Sequence, residues 1–130
     1  MNKQDFADYI ACLSRSDIDS AARYYCDDAR FEFGPIKLDG KRAIIDTYRR
    51  IYEETPETLT LHQLIADEDG IAADVTFESR ALVDVPMFLF GPLKKGETFR
   101  GRVVALYRLR DGKFATIKVI MMQDTPQALS

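Results

Sequence analysis

Bulky apolar and polar positions alternate most sharply toward the C-terminal end of the chain. In Phe99-Arg-Gly-Arg-Val-Val-Ala-Leu-Tyr-Arg-Leu109 large apolar residues share the run with arginines, Arg110-Asp111-Gly112-Lys113 interrupts it, and Phe114 to Met122 resumes it. Asp-Gly between two such runs predicts a β-hairpin, because Gly accepts the positive φ that a type I′ turn demands. Side chains on a strand alternate faces. Phe99, Val103, Ala105, Tyr107 and Leu109 therefore share one face with Ile117, Val119 and Met121 beyond the turn, and that set is almost wholly apolar. Arg100, Arg102, Val104, Leu106, Arg108, Thr116, Lys118, Ile120 and Met122 take the other, a mixed face with an apolar middle. The first face belongs to a core or pocket; the second can meet a partner subunit.

The rest of the chain follows from the same reading. Phe6, Tyr9, Ile10 and Leu13 recur at helical spacing within Lys3 to Ser14 and predict an amphipathic helix. Ser16-Asp17 breaks it and caps a second helix running to about Tyr25, with Ile18, Ala21, Ala22 and Tyr25 inward. Cys26-Asp27-Asp28 is expected to end that helix, and Ala29 to Phe33 alternates as a short strand with Phe31 and Phe33 on one face. Gly34-Pro35 turns the chain into a second short strand, Ile36 to Leu38, before a helix over Arg42 to Glu54 carrying Ile44, Ile45, Tyr48, Ile51 and Tyr52. Thr55-Pro56 stops that helix, and Thr58 to Asp67 opens the main sheet with Leu59, Leu61, Leu64 and Ile65. Beyond the turn at Asp67-Glu68-Asp69-Gly70, Ile71 to Leu82 alternates cleanly, with Ile71, Ala73, Val75 and Phe77 on the buried face. The connection from Asp84 to Gly96 holds Met87-Phe88-Leu89-Phe90, and four large apolar residues in a loop are expected to pack over a cavity mouth. The sheet is expected to stop at Thr125-Pro126. This order predicts an α+β domain over residues 1–130, with helices packed on one face of a mostly antiparallel sheet.

Composition narrows the function. A chain of 130 residues builds one domain with a real core. Its net charge of −3, without a basic block, argues against a nucleic-acid surface. The apolar runs are too short to span a membrane. Met1-Asn-Lys-Gln-Asp-Phe6 lacks the apolar region of a signal peptide, so a cytoplasmic location is expected. Cys12 and Cys26 fall on predicted helices without metal-ligand spacing and read as buried free thiols. Asp67, Glu68 and Asp69 lack the ligand set of a calcium loop. No metal and no cofactor is expected. Arg100, Arg102 and Arg108 are expected to pair with Asp74 and Glu78 of the neighbouring strand or to rim a dimer contact.

The stretches Tyr9-Ile-Ala-Cys-Leu-Ser-Arg-Ser-Asp-Ile-Asp19 and Tyr24-Tyr-Cys-Asp-Asp-Ala-Arg-Phe-Glu-Phe33, with Leu64-Ile-Ala-Asp67 and Leu106-Tyr-Arg-Leu-Arg-Asp-Gly-Lys-Phe114, carry a resemblance over nearly the whole chain. The sequence resembles the SnoaL-like and ketosteroid-isomerase-like families of the nuclear-transport-factor-2-like superfamily. The resemblance implies a cystatin-like cone, a curved sheet wrapped around helices with a deep, mostly apolar pocket. That fold hosts isomerases, cyclases, dehydratases, epoxide hydrolases and non-catalytic binders. By the resemblance, Tyr9 sits where the ketosteroid isomerases place the tyrosine that donates to a developing enolate oxygen. Their general base falls on Phe33, with Glu32 beside it on the opposite strand face, and their second carboxylic acid falls on Ala105. Steroid isomerisation itself is therefore not expected.

Related families carry a pocket histidine on the third strand, which makes the single histidine, His62, the acid/base candidate by resemblance. Strand parity leaves two placements open: His62 faces outward if Leu59, Leu61 and Ile65 face the core, and enters the pocket if Leu64 and Ala66 do. The expected ligand-binding set is Phe31, Phe33, Tyr48, Tyr52, Phe77, Phe88, Phe99, Tyr107 and Met121. The first functional expectation is a cofactor-independent enzyme acting on a small hydrophobic, cyclic or aromatic molecule, in which Tyr9 polarises an oxygen and His62 moves the proton. The second is a non-catalytic binder with the same pocket, and the third a protein-interaction module. Val104, Leu106, Ile120 and Met122 on the outer face suggest a homodimer through the sheets.

Overall fold

The computed structural model describes residues 1–122. Helices α1 (Lys3–Ser14) and α2 (Ile18–Ala22) come first, then strands β1 (Tyr25–Phe33) and β2 (Ile36–Asp39) and helix α3 (Lys41–Glu54). Strands β3 (Glu57–Ala66), β4 (Gly70–Arg80), β5 (Thr98–Arg110) and β6 (Lys113–Met121) complete the order. The expected end of the sheet at Thr125-Pro126 lies outside the described residues. Among those residues, no helix is long and apolar enough to cross a membrane.

The strands form a single six-stranded, curved and unclosed sheet in the order β2-β1-β6-β5-β4-β3. Every pairing is antiparallel except that of β1 with β6. The β5–β6 hairpin forms as the Asp-Gly pattern predicts: Asp111 and Gly112 hold φ of 53° and 73°, and Arg110 faces Lys113 across the turn. A register shift follows, because Arg108 faces Thr116 while Leu109 faces Phe114. The extra residue brings Phe114 onto the inner face together with Ile117.

Helix α1 begins with a capping box, in which the Asn2 side chain accepts from the Asp5 N–H at 2.8 Å and the Asp5 carboxylate from the Asn2 N–H at 2.9 Å. Its apolar stripe buries Phe6, Tyr9, Ile10 and Leu13 as the spacing requires. Phe114, with no exposure, packs its ring against Tyr107 at 4.6 Å, Tyr9 at 4.8 Å, Tyr25 at 5.3 Å and Phe6 at 6.1 Å between centroids. This aromatic cluster joins α1, β1, β5 and β6 in one core.

The second helix ends at Ala22 rather than near Tyr25, and the physical reason is tertiary. The Phe114 N–H donates to the Tyr24 carbonyl at 2.8 Å, and Tyr25 pairs with Phe114, so β6 recruits this segment as strand. Cys26 consequently lies half-buried on β1 and not on a helix, while Cys12 is buried on α1; both are free thiols. Asp27 and Asp28 sit within β1 instead of ending a helix, and Asp28 pairs with Arg110. On the outer face, Arg102 grips Asp74 with two hydrogen bonds of 2.7 and 2.8 Å, and Arg100 approaches Glu78 at 4.0 Å, which are the cross-strand partners the pattern expected.

Phe114→Ala is expected to destabilise the fold by about 3–5 kcal/mol, the range for emptying a fully buried aromatic site. Met122→Ala, on the exposed face, is expected to change stability by no more than about 0.5 kcal/mol. Urea denaturation of the two variants checks both values.

Candidate functional site

Pro56 ends α3 and sends the chain into β3, whose first residue, Glu57, pairs with Ser79 of β4. Glu57 shares strand parity with Leu59 and Leu61, which pack against the core, so its side chain turns inward. It meets a cavity of about 380 Å³ enclosed by the sheet, α1, α3 and the connection between β4 and β5. Phe31 and Phe33 of β1, Tyr48 and Ile51 of α3, Val75 and Phe77 of β4, and Val103, Ala105 and Tyr107 of β5 form its walls. Val85, Phe88 and Phe90 line it from the connection, as part of the apolar run predicts, while Met87 and Leu89 touch it but stand largely in solvent, at 90% and 48% exposure. Reciprocal backbone hydrogen bonds between Val85 and Leu93, at 2.7 and 3.0 Å, pin that connection. The polar lining comprises Glu57, Ser79, Thr47, Thr55 and the exposed Arg50 and Glu54.

Glu57 is the chemical centre of this lining. Its carboxylate accepts from the Ser79 hydroxyl at 3.4 Å and from the Tyr52 hydroxyl at 3.5 Å, both long for hydrogen bonds. The residue keeps partial accessibility toward the cavity it lines, yet its carboxyl is surrounded by protein. Desolvation pushes it up to about 7, and the two hydrogen bonds only partly counter that rise. Near neutral pH the acid and the carboxylate therefore coexist, which is the state that proton transfer in both directions requires.

Behind the cavity, the hydroxyls of Tyr9 and Tyr25 hydrogen-bond to each other, both residues being 1% exposed. The Tyr48 side chain stands within their electrostatic reach and lines the cavity itself. Burial raises the pKa of all three phenols, so each remains a neutral donor at ordinary pH. Tyr9 itself does not line the cavity. It sits on the side of α1 that packs into the Phe114 cluster, while Ile10 and Leu13 supply the helix's contribution to the lining.

His62 stands outside the pocket. The β3–β4 register shifts between Leu61 and Gln63, and this bulge turns Leu59 and Leu61 inward on one side and Leu64 and Ala66 inward on the other. His62, Gln63 and the 63% exposed Ile65 then face solvent. The imidazole Nε2 lies 2.7 Å from the Thr76 hydroxyl on the outer face. The two placements left open by parity both assumed a regular strand, which is why neither alone describes β3.

Of the expected ligand-binding residues, Phe31, Phe33, Tyr48, Phe77, Phe88 and Tyr107 line the cavity. Phe99, Met121 and Tyr52 do not. Phe99 stacks on Phe90 with centroids 4.7 Å apart and planes 6° from parallel. Met121 packs against the core near Gly101. Tyr52 is buried, with only its hydroxyl directed at Glu57. Phe33 and Ala105 are both in the lining, so the two positions expected to lack carboxylates are apolar surface in the cavity. Among the described residues, no group of three or more His, Cys, Asp or Glu is placed to hold a metal ion.

A family model described as a SnoaL-like domain matches residues 6–117. No curated protein matches the chain. Among solved structures, the chain is similar to an LEH-like epoxide hydrolase from M. tuberculosis at 16% identity, covering 88% of this chain and 77% of that one with a TM-score of 0.71. It is similar to a candidate polyketide cyclase from Xanthomonas campestris pv. campestris at 15% identity, with coverage of 92% and 87% and a TM-score of 0.73. It is also similar to a protein of ketosteroid isomerase-like fold from Catenulispora acidiphila, solved in complex with trimethylamine, at 9% identity, with coverage of 92% and 86% and a TM-score of 0.73. At these identities the likeness carries the fold alone.

The buried carboxyl makes stability depend on pH. The pKa of Glu57 in the folded state is raised above its unfolded value, so the folded state holds the proton more tightly between about 4.3 and 7, and stability falls as pH rises through that window. Glu57→Gln is expected to remove this fall and to gain on the order of 2–3 kcal/mol relative to the unsubstituted chain at about pH 8 compared with pH 4. Urea denaturation across that range reads the difference, and parallel pH profiles for the two proteins would contradict it.

Proposed function

The chain belongs to the SnoaL-like domain family, and on that premise we propose that its cavity carries out cofactor-independent acid/base chemistry on a small cyclic or aromatic molecule. Isomerisation, cyclisation and dehydration are the reaction types in view. The observation that carries this reading is Glu57, a buried carboxyl in an apolar cavity, held near neutrality by desolvation. In its acid form it donates a proton to the ligand, and as carboxylate it takes one back. Tyr48, the neutral phenol on the wall, donates to a ligand oxygen on which negative charge develops. Tyr25 and Tyr9 stand behind it and act through it, as positioning residues. The apolar and aromatic walls lower the local polarity around Glu57, which strengthens each of these interactions.

The proton-moving role thus belongs to Glu57 rather than to His62. Phe33 and Ala105 leave the inner ends of β1 and β5 without a base, so the chemistry is concentrated where α3 meets β3. The second reading is a non-catalytic small-ligand binder, favoured by those same two apolar positions. The exposed Leu106, Ile120 and Met122, with Val104 beside them, support a homodimer through the outer sheet faces.

Solvent-deuterium incorporation and turnover, measured by NMR over a panel of small cyclic and aromatic ketones, test the enzymatic reading. Glu57→Gln is expected to lower the rate by roughly 10²–10⁴-fold, the contribution of a positioned acid/base group. Tyr48→Phe is expected to lower it by about 10-fold or more, while His62→Ala leaves it unchanged. Full activity in Glu57→Gln would take the proton-moving role away from Glu57, and ligands that bind without any reaction would replace the enzyme with the binder.

A further inference from the structure

Glu57 has no cationic partner within ion-pair distance: each of the ion pairs among the described residues is made by other carboxylates. Its neighbours are two hydroxyls at 3.4 and 3.5 Å, which leave much of a carboxylate's acceptor capacity unused. The charged and titratable groups around it come from three elements. Helix α3 supplies Tyr48, Tyr52, the exposed Glu54 and the exposed Arg50; β5 supplies Tyr107; β4 supplies only the neutral Ser79. Burial keeps the three phenols uncharged, and Arg50 makes no ion pair with Glu57.

The surrounding surface is aromatic. The Tyr48 ring lies 6.0 Å from Tyr52 at 74° and 6.3 Å from Phe31 at 76°, so ring faces and edges are presented at steep angles to one another beside the carboxyl. Ring faces attract cations, and a carboxyl with no cation of its own completes the pair that such a ligand needs. An anionic ligand would meet two carboxyls, Glu57 and the exposed Glu54, against a single cation of the lining, Arg50, which is exposed and makes no ion pair with Glu57.

We propose that the ligand of this cavity presents a protonated or quaternary amine to Glu57, with an apolar or aromatic body filling the remaining space. The inference rests on the cavity being the ligand site, as in the proposed function; the nitrogen of a protonatable amine is the atom with which Glu57 exchanges its proton, and a quaternary one only balances the charge of the carboxylate. An amine entering as the free base takes the proton from the neutral carboxyl and leaves a carboxylate–ammonium pair. An amine entering already protonated meets the carboxylate directly. Either route ends with the same proton count.

An isosteric pair of probes isolates the charge: [4-(hydroxymethyl)phenyl]trimethylammonium and 4-tert-butylbenzyl alcohol, compared by calorimetric titration. At about pH 8, where Glu57 is ionised, the cation is expected to bind roughly tenfold or more tightly than the neutral probe. At about pH 5.5, where the carboxyl is protonated in the free protein, that advantage is expected to shrink to a few-fold. Glu57→Gln is expected to abolish the advantage at both pH values, and urea denaturation of the variant shows it to be folded. Equal binding of both probes at the higher pH, or an advantage that survives in Glu57→Gln, overturns the inference. If the neutral probe binds without any preference for the cation, only the amine assignment fails. If neither probe binds, the aromatic-ligand reading of the cavity fails with it.

Discussion

Phe114 lies where three parts of the fold must agree. Its backbone N–H holds the Tyr24 carbonyl, its ring is enclosed by those of Phe6, Tyr9, Tyr25 and Tyr107, and a register shift beside the hairpin turns it inward. Each such ring removes a large apolar area from water, and edge-to-face pairs add about 0.5–1.5 kcal/mol beyond that burial. The consequence reaches the cavity through β1. This strand is parallel to β6 and has no hairpin to hold it there, so the contacts around Phe114 and the ladder from Arg30 to Phe33 fix its position. Phe31 and Phe33, further along β1, then become a wall of the cavity. Without the junction the sheet would end at β6 and the cavity would be open on that side.

The elements legible in the sequence are those specified by local pattern. Helices α1 and α3, the clean alternation of β4 and the Asp111-Gly112 hairpin each depend on residues within a few positions of one another. The elements misread depend on distant partners. Tyr25 completes a plausible helix, ended by Cys26-Asp27-Asp28, until β6 is placed beside it, and neither Cys26 nor the two aspartates reports that pairing. His62 shows the same limitation in a strand: the bulge between Leu61 and Gln63 reverses parity within β3, and no glycine or proline marks it. The local signal for Glu57 was present, since Glu57, Leu59 and Leu61 alternate in step. A strand read from Thr58 leaves the carboxyl one residue outside it, whereas β3 begins at Glu57.

Membership of the family accounts for the curved sheet and the cavity within it, and it does not place the chemistry. Where the resemblance implied carboxylates, on β1 and β5, this chain has Phe33 and Ala105, and both are wall. The tyrosine implied by the resemblance, Tyr9, is present in a different capacity. Tyr9 touches Tyr25, and Tyr48 alone of the three reaches the cavity. The polar end of the cavity has thereby moved to the junction of α3 and β3, where Tyr52, Glu57 and Ser79 converge from three elements.

Folding alone gives no reason for a carboxyl at that junction. Desolvation opposes its charge, two hydrogen bonds of 3.4 and 3.5 Å return little, and among the described residues no cation forms an ion pair with it. A glutamine would satisfy the same hydroxyls without the penalty, and a leucine would continue the apolar wall. The neighbouring ionic groups show that the chain does pair its carboxylates elsewhere, as Asp74 is held by Arg102. On the proposed function, a buried acid left unpaired in an aromatic cavity is explained by what enters the cavity. The proton it holds near neutrality, and the charge it presents once that proton has gone, are useful only to a ligand that can exchange the first or balance the second.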